Sequence, residues 1–110
     1  MKVTLSQEKG VNVISIEGSI DGKTAPMIRQ EIGPTLEGAK TVILDLSKVD
    51  YLSSAGLRLL LLIYREFSAK SGKLVLLGVS DDIRTVMSHT GFLNFFTLAG
   101  SMPEALQAIS

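Results

Sequence analysis

Ser53 and Ser54 are the residues of this chain best placed to do chemistry. They sit inside Asp45–Leu57, which reads DLSKVDYLSSAGL, where an apolar strand (Thr41–Leu44) runs into a polar turn and then into a long apolar helix. A hydroxyl at a helix N-terminus has orphan backbone N–H groups and the positive end of the helix dipole beside it, so a phosphate carried there is well accommodated. The plainer alternative is that one serine is only the N-cap, a preferred role for this residue type. Ala55, Gly56, Leu57 and Arg58 complete the first turn. Gly56 either lets a partner or nucleotide approach closely or is simply tolerated there. A second polar cluster, Ser19–Thr24 with Gly22 at its tightest point, supplies Asp21 and Thr24. Both loops are expected on the C-terminal side of the sheet, where Asp21 either orients the Ser54 hydroxyl or remains a solvated carboxylate. Asp45 and Asp50 are expected to make turn hydrogen bonds.

Strand–Ser–helix is also the shape of a hydrolase nucleophile elbow, G-x-S-x-G, but Leu52 stands where the first glycine belongs. The one histidine, His89, falls late in a helix, where a cation is favoured by the dipole. With no cysteine and no carboxylate cluster around that histidine, no metal site, cofactor or catalytic residue is expected.

Eleven basic and eleven acidic residues cancel, and no Lys/Arg cluster occurs, which argues against direct nucleic-acid binding and for protein partners. With 45 % apolar and 20 % charged residues, 110 residues suit one globular domain, 1–110. The N-terminus lacks the unbroken apolar core of a signal peptide, and the longest apolar run, Leu59–Tyr64, is too short for a membrane span. A cytoplasmic location is expected.

The elements that must position these loops follow from periodicity. Val3 and Leu5, a turn at Lys9-Gly10, and Val11–Ile16 ending near Gly18 predict an antiparallel hairpin. Thr24 is placed to cap a helix starting at Ala25, with Pro34 disturbing its end. Lys40–Leu46 predicts an interior strand, and Ser54–Lys70 a helix with Gly72 as C-cap. Leu57–Phe67 is apolar on more than one stripe, which calls for burial under a neighbouring helix or, in part, a protein partner. Leu74–Leu77 predicts another interior strand, and Ser80–Gly91 a capped helix. Phe95–Leu98 predicts an edge strand, and Ser101-Met-Pro-Glu104 a capping box for a terminal helix. The order β-β-α-β-α-β-α-β-α predicts an α/β fold: a mixed, mainly parallel sheet with an N-terminal antiparallel hairpin and about four helices.

Asp45–Leu57 resembles the signature of STAS domains, specifically bacterial anti-sigma factor antagonists. Gly18-Ser19-Ile20-Asp21-Gly22-Lys23-Thr24-Ala25 resembles the family's G–(apolar)–D–x–x–T–A loop, and Ile83-Arg84 through Gly91-Phe92 its helix end. The best-described members carry Asp at the position of Ser53. The resemblance covers essentially the whole chain and implies a phosphorylation-regulated partner switch, not an enzyme. Unphosphorylated antagonist binds an anti-sigma factor that is also a serine kinase and so releases a sigma factor. The kinase modifies the serine two positions before the motif glycine, here Ser54 (Ser53 being the secondary candidate), and a serine phosphatase reverses it. Asp21, Thr24, Ser53, Ser54, Ala55, Gly56, Leu57 and Arg58 would form the partner-binding face. An alternative is a STAS adaptor or scaffold of another signalling or transport complex, without a phosphoswitch.

Overall fold

A computed structural model describes residues 1–110. Its opening hairpin joins β1 (Lys2–Glu8) to β2 (Val11–Ile20) through Lys9 and Gly10, both at positive φ (50° and 81°). A two-residue loop of this kind matches the right-handed twist of the strands it joins. The other elements are α1 (Thr24–Gly38), β3 (Thr41–Leu52), α2 (Ser54–Ala69), β4 (Lys73–Leu77), α3 (Asp81–His89), β5 (Thr97–Ala99) and α4 (Met102–Ile109). The sheet order is β1-β2-β3-β4-β5, antiparallel between β1 and β2 and parallel elsewhere, as the element order predicts.

Strand alternation splits the core in two. Ile14, Ile16, Val42, Leu44, Leu46 and Leu76 point to one face, under α1, α2 and α3. Val13, Ile43, Val75, Leu77 and Ala99 point to the other, where α4 covers them with Ala105 and Ile109.

Five expectations are corrected. The strand expected to end at Leu46 continues to Leu52, so the "polar turn" is strand. Leu46, Val49 and Leu52 are buried together although three residues apart, a spacing that a period of two would send to alternate faces. Two register shifts against β2 resolve this. Ser15 pairs with Asp45 but Glu17 with Lys48, and Gly18 pairs with Val49 but Ser19 with Tyr51, so β3 carries one extra residue at each bulge. The carboxylate of Asp45 accepts from the Ser47 N–H (3.0 Å) and hydroxyl (2.7 Å) at the first bulge. That of Asp50 accepts from the Ser19 hydroxyl (3.0 Å) at the second.

Pro34 lies inside α1 without ending it. Ile32 and Leu36 anchor the helix on either side, and Gly33, lacking Cβ, avoids the clash proline imposes on its predecessor. The cap expected of Thr24 is made instead by Asp21. After α2, Ser71 rather than Gly72 takes the left-handed position (φ 55°). Ser71 N–H donates to the Ser68 carbonyl (3.2 Å) and Gly72 N–H to that of Phe67 (2.7 Å), a Schellman closure. Gly72 is needed for space, since a Cβ there would lie 2.7 Å from the Lys40 carbonyl oxygen. The final edge strand is also shorter than expected, because Leu93–Phe95 form a 3₁₀ turn whose Phe95 ring packs on Tyr64 of α2 at 5.6 Å.

Candidate functional site

The β2–α1 and β3–α2 loops meet at the C-terminal edge of the parallel strands. Ser53 N–H donates to the Ile20 carbonyl (3.0 Å), tying the end of β2 to the start of α2. Gly56 packs directly on that carbonyl. A Cβ at Gly56 would overlap the Ile20 oxygen and lie 2.8 Å from Leu52 Cδ1. This is neither of the roles expected for Gly56, because its missing side chain serves the chain's own loop-to-loop contact. Gly22, in turn, would place a Cβ 3.9 Å from that of Ala55.

The two serines divide their duties. Ser53 has extended backbone (φ −86°, ψ 177°) and its Oγ accepts from the Gly56 N–H at 3.2 Å, so it is the N-cap of α2. Ser54 is the first helical residue and exposed, and its hydroxyl makes no hydrogen bond within the chain. The strongest local acceptor role is thus already filled by Ser53, leaving Ser54 Oγ free at the positive end of the helix.

Asp21 is committed to its own loop. One carboxylate oxygen accepts from the backbone N–H groups of Thr24 and Lys23, each at 2.9 Å. These two bonds, from Thr24 first and Lys23 second, favour the charged carboxylate and hold its pKa below the usual aspartate value. The Thr24 hydroxyl accepts from the Asp21 N–H (2.9 Å) and donates to the Ser19 carbonyl (2.8 Å). Asp21 makes no hydrogen bond to Ser54, so of its two expected roles the structure gives neither hydroxyl orientation nor a free solvated carboxylate. It fixes the loop that flanks Ser54.

Of the residues expected to face a partner, Ser54 and Arg58 are exposed, while Asp21, Thr24, Ser53 and Ala55 are half-buried. Gly56 and Leu57 are buried and support the turn from beneath. Sequence reasoning missed the groove beside them, of about 390 Å³, where Pro26 and Arg29 of α1 face Arg58, Leu59 and Leu62 of α2. Arg29 is ion-paired with Glu66 across the two helices. A signal existed in the surplus apolar residues of α2. Leu57, Leu59, Leu60, Ile63 and Phe67 are buried, whereas Leu62 is 43 % exposed and lines the groove.

Nothing here assembles a nucleophile. His89 is exposed in the last turn of α3 and bonds to neither serine. No group of three or more His, Cys, Asp or Glu could hold a metal ion. What the turn can do is accept a modifying group at Ser54 and present it beside an apolar groove.

Comparison with known proteins agrees with this arrangement. The family model described as STAS domain matches residues 2–105. The anti-sigma-F factor antagonist RsfB of Mycobacterium tuberculosis is 38 % identical over 111 residues, spanning 97 % of this chain and 88 % of the relative. The crystal structure of an anti-sigma factor antagonist from Mycobacterium paratuberculosis superposes with a TM-score of 0.88 at 29 % identity, covering 98 % of this chain and 92 % of that one. The structure of the anti-sigma factor antagonist SpoIIAA in its unphosphorylated form superposes with a TM-score of 0.78 at 25 % identity, covering 96 % and 94 %.

Proposed function

The chain belongs to the STAS domain family, and on that premise we propose that it is an anti-sigma factor antagonist whose binding is switched by phosphorylation of Ser54. It is a regulatory binding protein and not an enzyme, like the antagonists it matches. In its unmodified form it binds an anti-sigma factor that is also a serine kinase, releasing a sigma factor. A serine phosphatase returns the modified form to the unmodified, binding-competent one. This role implies action in the cytoplasm, on transcription, without direct contact with nucleic acid. No helix is long and apolar enough to cross a membrane.

The observation that carries the reading is the division of labour between Ser53 and Ser54. The cap is made by one hydroxyl, so modifying the other removes no hydrogen bond from the fold. Phosphorylation adds about −1.5 to −2 charges and three acceptor oxygens, and the helix dipole favours that charge by about 0.3–1 kcal/mol at an exposed site. The domain therefore stays folded, and the effect falls on the partner surface. There, a phosphate forced into a dry or acidic interface costs several kcal/mol, and each ~1.4 kcal/mol is tenfold in affinity.

The test is incubation with the cognate kinase and ATP followed by mass spectrometry. Phosphate is expected on Ser54, with Ser53 unmodified. Absence of phosphate from both serines, under conditions where the kinase modifies another antagonist, overturns the reading. Ser54→Ala keeps partner binding and abolishes the switch, whereas Ser54→Asp weakens binding.

A further inference from the structure

We infer that Arg58 is the internal counter-ion of a phosphate on Ser54, an inference that rests on the switch proposed above. Ser54 and Arg58 are four residues apart on α2 and both exposed, so their side chains leave the same face one turn apart. At this spacing the Cβ atoms are about 5–6 Å apart and opposite charges pair. Arg58 has no ionic partner, because the chain's one salt bridge joins Arg29 to Glu66.

The other charged groups around the turn strengthen the assignment. Asp21 lies in the loop packed against Ser53–Ala55 and repels a phosphate from that side. Lys23 belongs to the same loop, where its backbone N–H is bound to Asp21. Arg29, on the far wall of the groove, is neutralised by Glu66. Arg65 is exposed two turns beyond Arg58, and Glu66 is held by Arg29. Arg58 is therefore the free cation nearest to Ser54 along α2.

Its guanidinium offers a planar fork of donors that matches phosphate oxygens. Arg58 also lines the α1–α2 groove together with Ala55, Leu59 and Leu62. When Ser54 is unmodified, the rim of that groove presents an unpaired positive charge. When Ser54 is phosphorylated, the same arginine turns to its own phosphate, and the rim changes from about +1 to a net charge of about −0.5 to −1. Modification thus withdraws a cation from the partner as well as adding an anion.

The experiment uses the full chain with phosphoserine installed at position 54 during synthesis, and follows its second ionisation by ³¹P NMR as pH is varied. A nearby cation favours the dianion, so Arg58 lowers this pKa. In Arg58→Gln it is expected to rise by about 0.3–1 unit relative to the phosphorylated wild-type chain. Arg58→Lys, which keeps the charge without the fork, falls between the two, and Arg65→Gln leaves the value within about 0.1 unit on grounds of distance and screening. An unchanged pKa in Arg58→Gln, or an equal rise in Arg65→Gln, overturns the inference. Because no kinase is used, that failure is distinct from failure of the switch, which shows as Ser54 left unmodified by the kinase.

Discussion

Gly56→Ala sets two physical effects against each other, and the structure decides the sign. Gly56 is helical and buried in the first turn of α2. Helix propensity alone favours alanine over glycine by about 1 kcal/mol. The new Cβ, however, would overlap the Ile20 carbonyl oxygen, and lie 3.0 Å from the Ile20 carbonyl carbon and 2.8 Å from Leu52 Cδ1. Two of these three atoms are backbone and cannot be cleared by a rotamer change. Forcing an extra carbon into such a site costs about 1–3 kcal/mol. Moving the Ile20 carbonyl also strains its bond from the Ser53 N–H, worth about 1 kcal/mol. After the gain in propensity, the net loss is about 1–3 kcal/mol, or a fall in melting temperature of about 5–15 °C for a domain of this size. Thermal and urea unfolding followed by circular dichroism measure it, with Gly38→Ala as reference. Gly38, at the end of α1, has no atom within 4 Å of its would-be Cβ, so alanine there is expected to be stabilising by about 0.5 kcal/mol. If Gly56→Ala were neutral or stabilising, the close approach of the two loops would not be what requires glycine.

Ser53→Ala removes the N-cap of α2 and is expected to cost about 1 kcal/mol in urea unfolding, whereas Ser54→Ala changes stability by less than about 0.5 kcal/mol. Equal losses would refute the division between the two hydroxyls. Asp21 has a lowered pKa in the folded chain, so its ionised form adds stability that is present above its unfolded pKa, about 4, and lost as pH falls through the lower folded value. Melting temperatures from pH 6 down to pH 2.5 should therefore fall more steeply for the wild-type chain than for Asp21→Asn, and parallel curves would refute this. Ser71→Gly relieves a non-glycine residue at φ 55° in the closure after α2 and is expected to stabilise by about 0.5–1 kcal/mol in the same unfolding assay.

The order of elements was legible because each interior strand is a dense apolar run and each helix has a start or stop signal. Ser80 and Ser101 cap as their sequences predict, accepting from the N–H groups of Ile83 and Glu104. The length of β3 was not legible. Its polar stretch holds the strand only because two bulges shift the period, and a bulge is a property of the pair, visible in neither strand alone. The site was legible by type more than by role. The type of turn and its two serines could be read from one segment, but the role of Gly56 depends on the Ile20 carbonyl, thirty-odd residues upstream. Likewise, the exposed Leu62 looked like any other leucine of an apolar helix until α1 was packed beside it.

The two-sided sheet has a consequence for motion. Twenty-one buried residues lock α1, α2 and α3 onto one face, while seven hold α4 on the other. The smaller cluster gives α4 fewer apolar contacts to lose, so its amides open to exchange with solvent by local release rather than by global unfolding. The first turn of α2 is pinned to β2 through the Ile20 carbonyl, on the side of the sheet that carries the larger cluster. The chain can therefore loosen at its C-terminal helix while the spacing of Asp21, Ser54 and Arg58 is maintained. Mobility on one side of the sheet is insulated from geometry on the other.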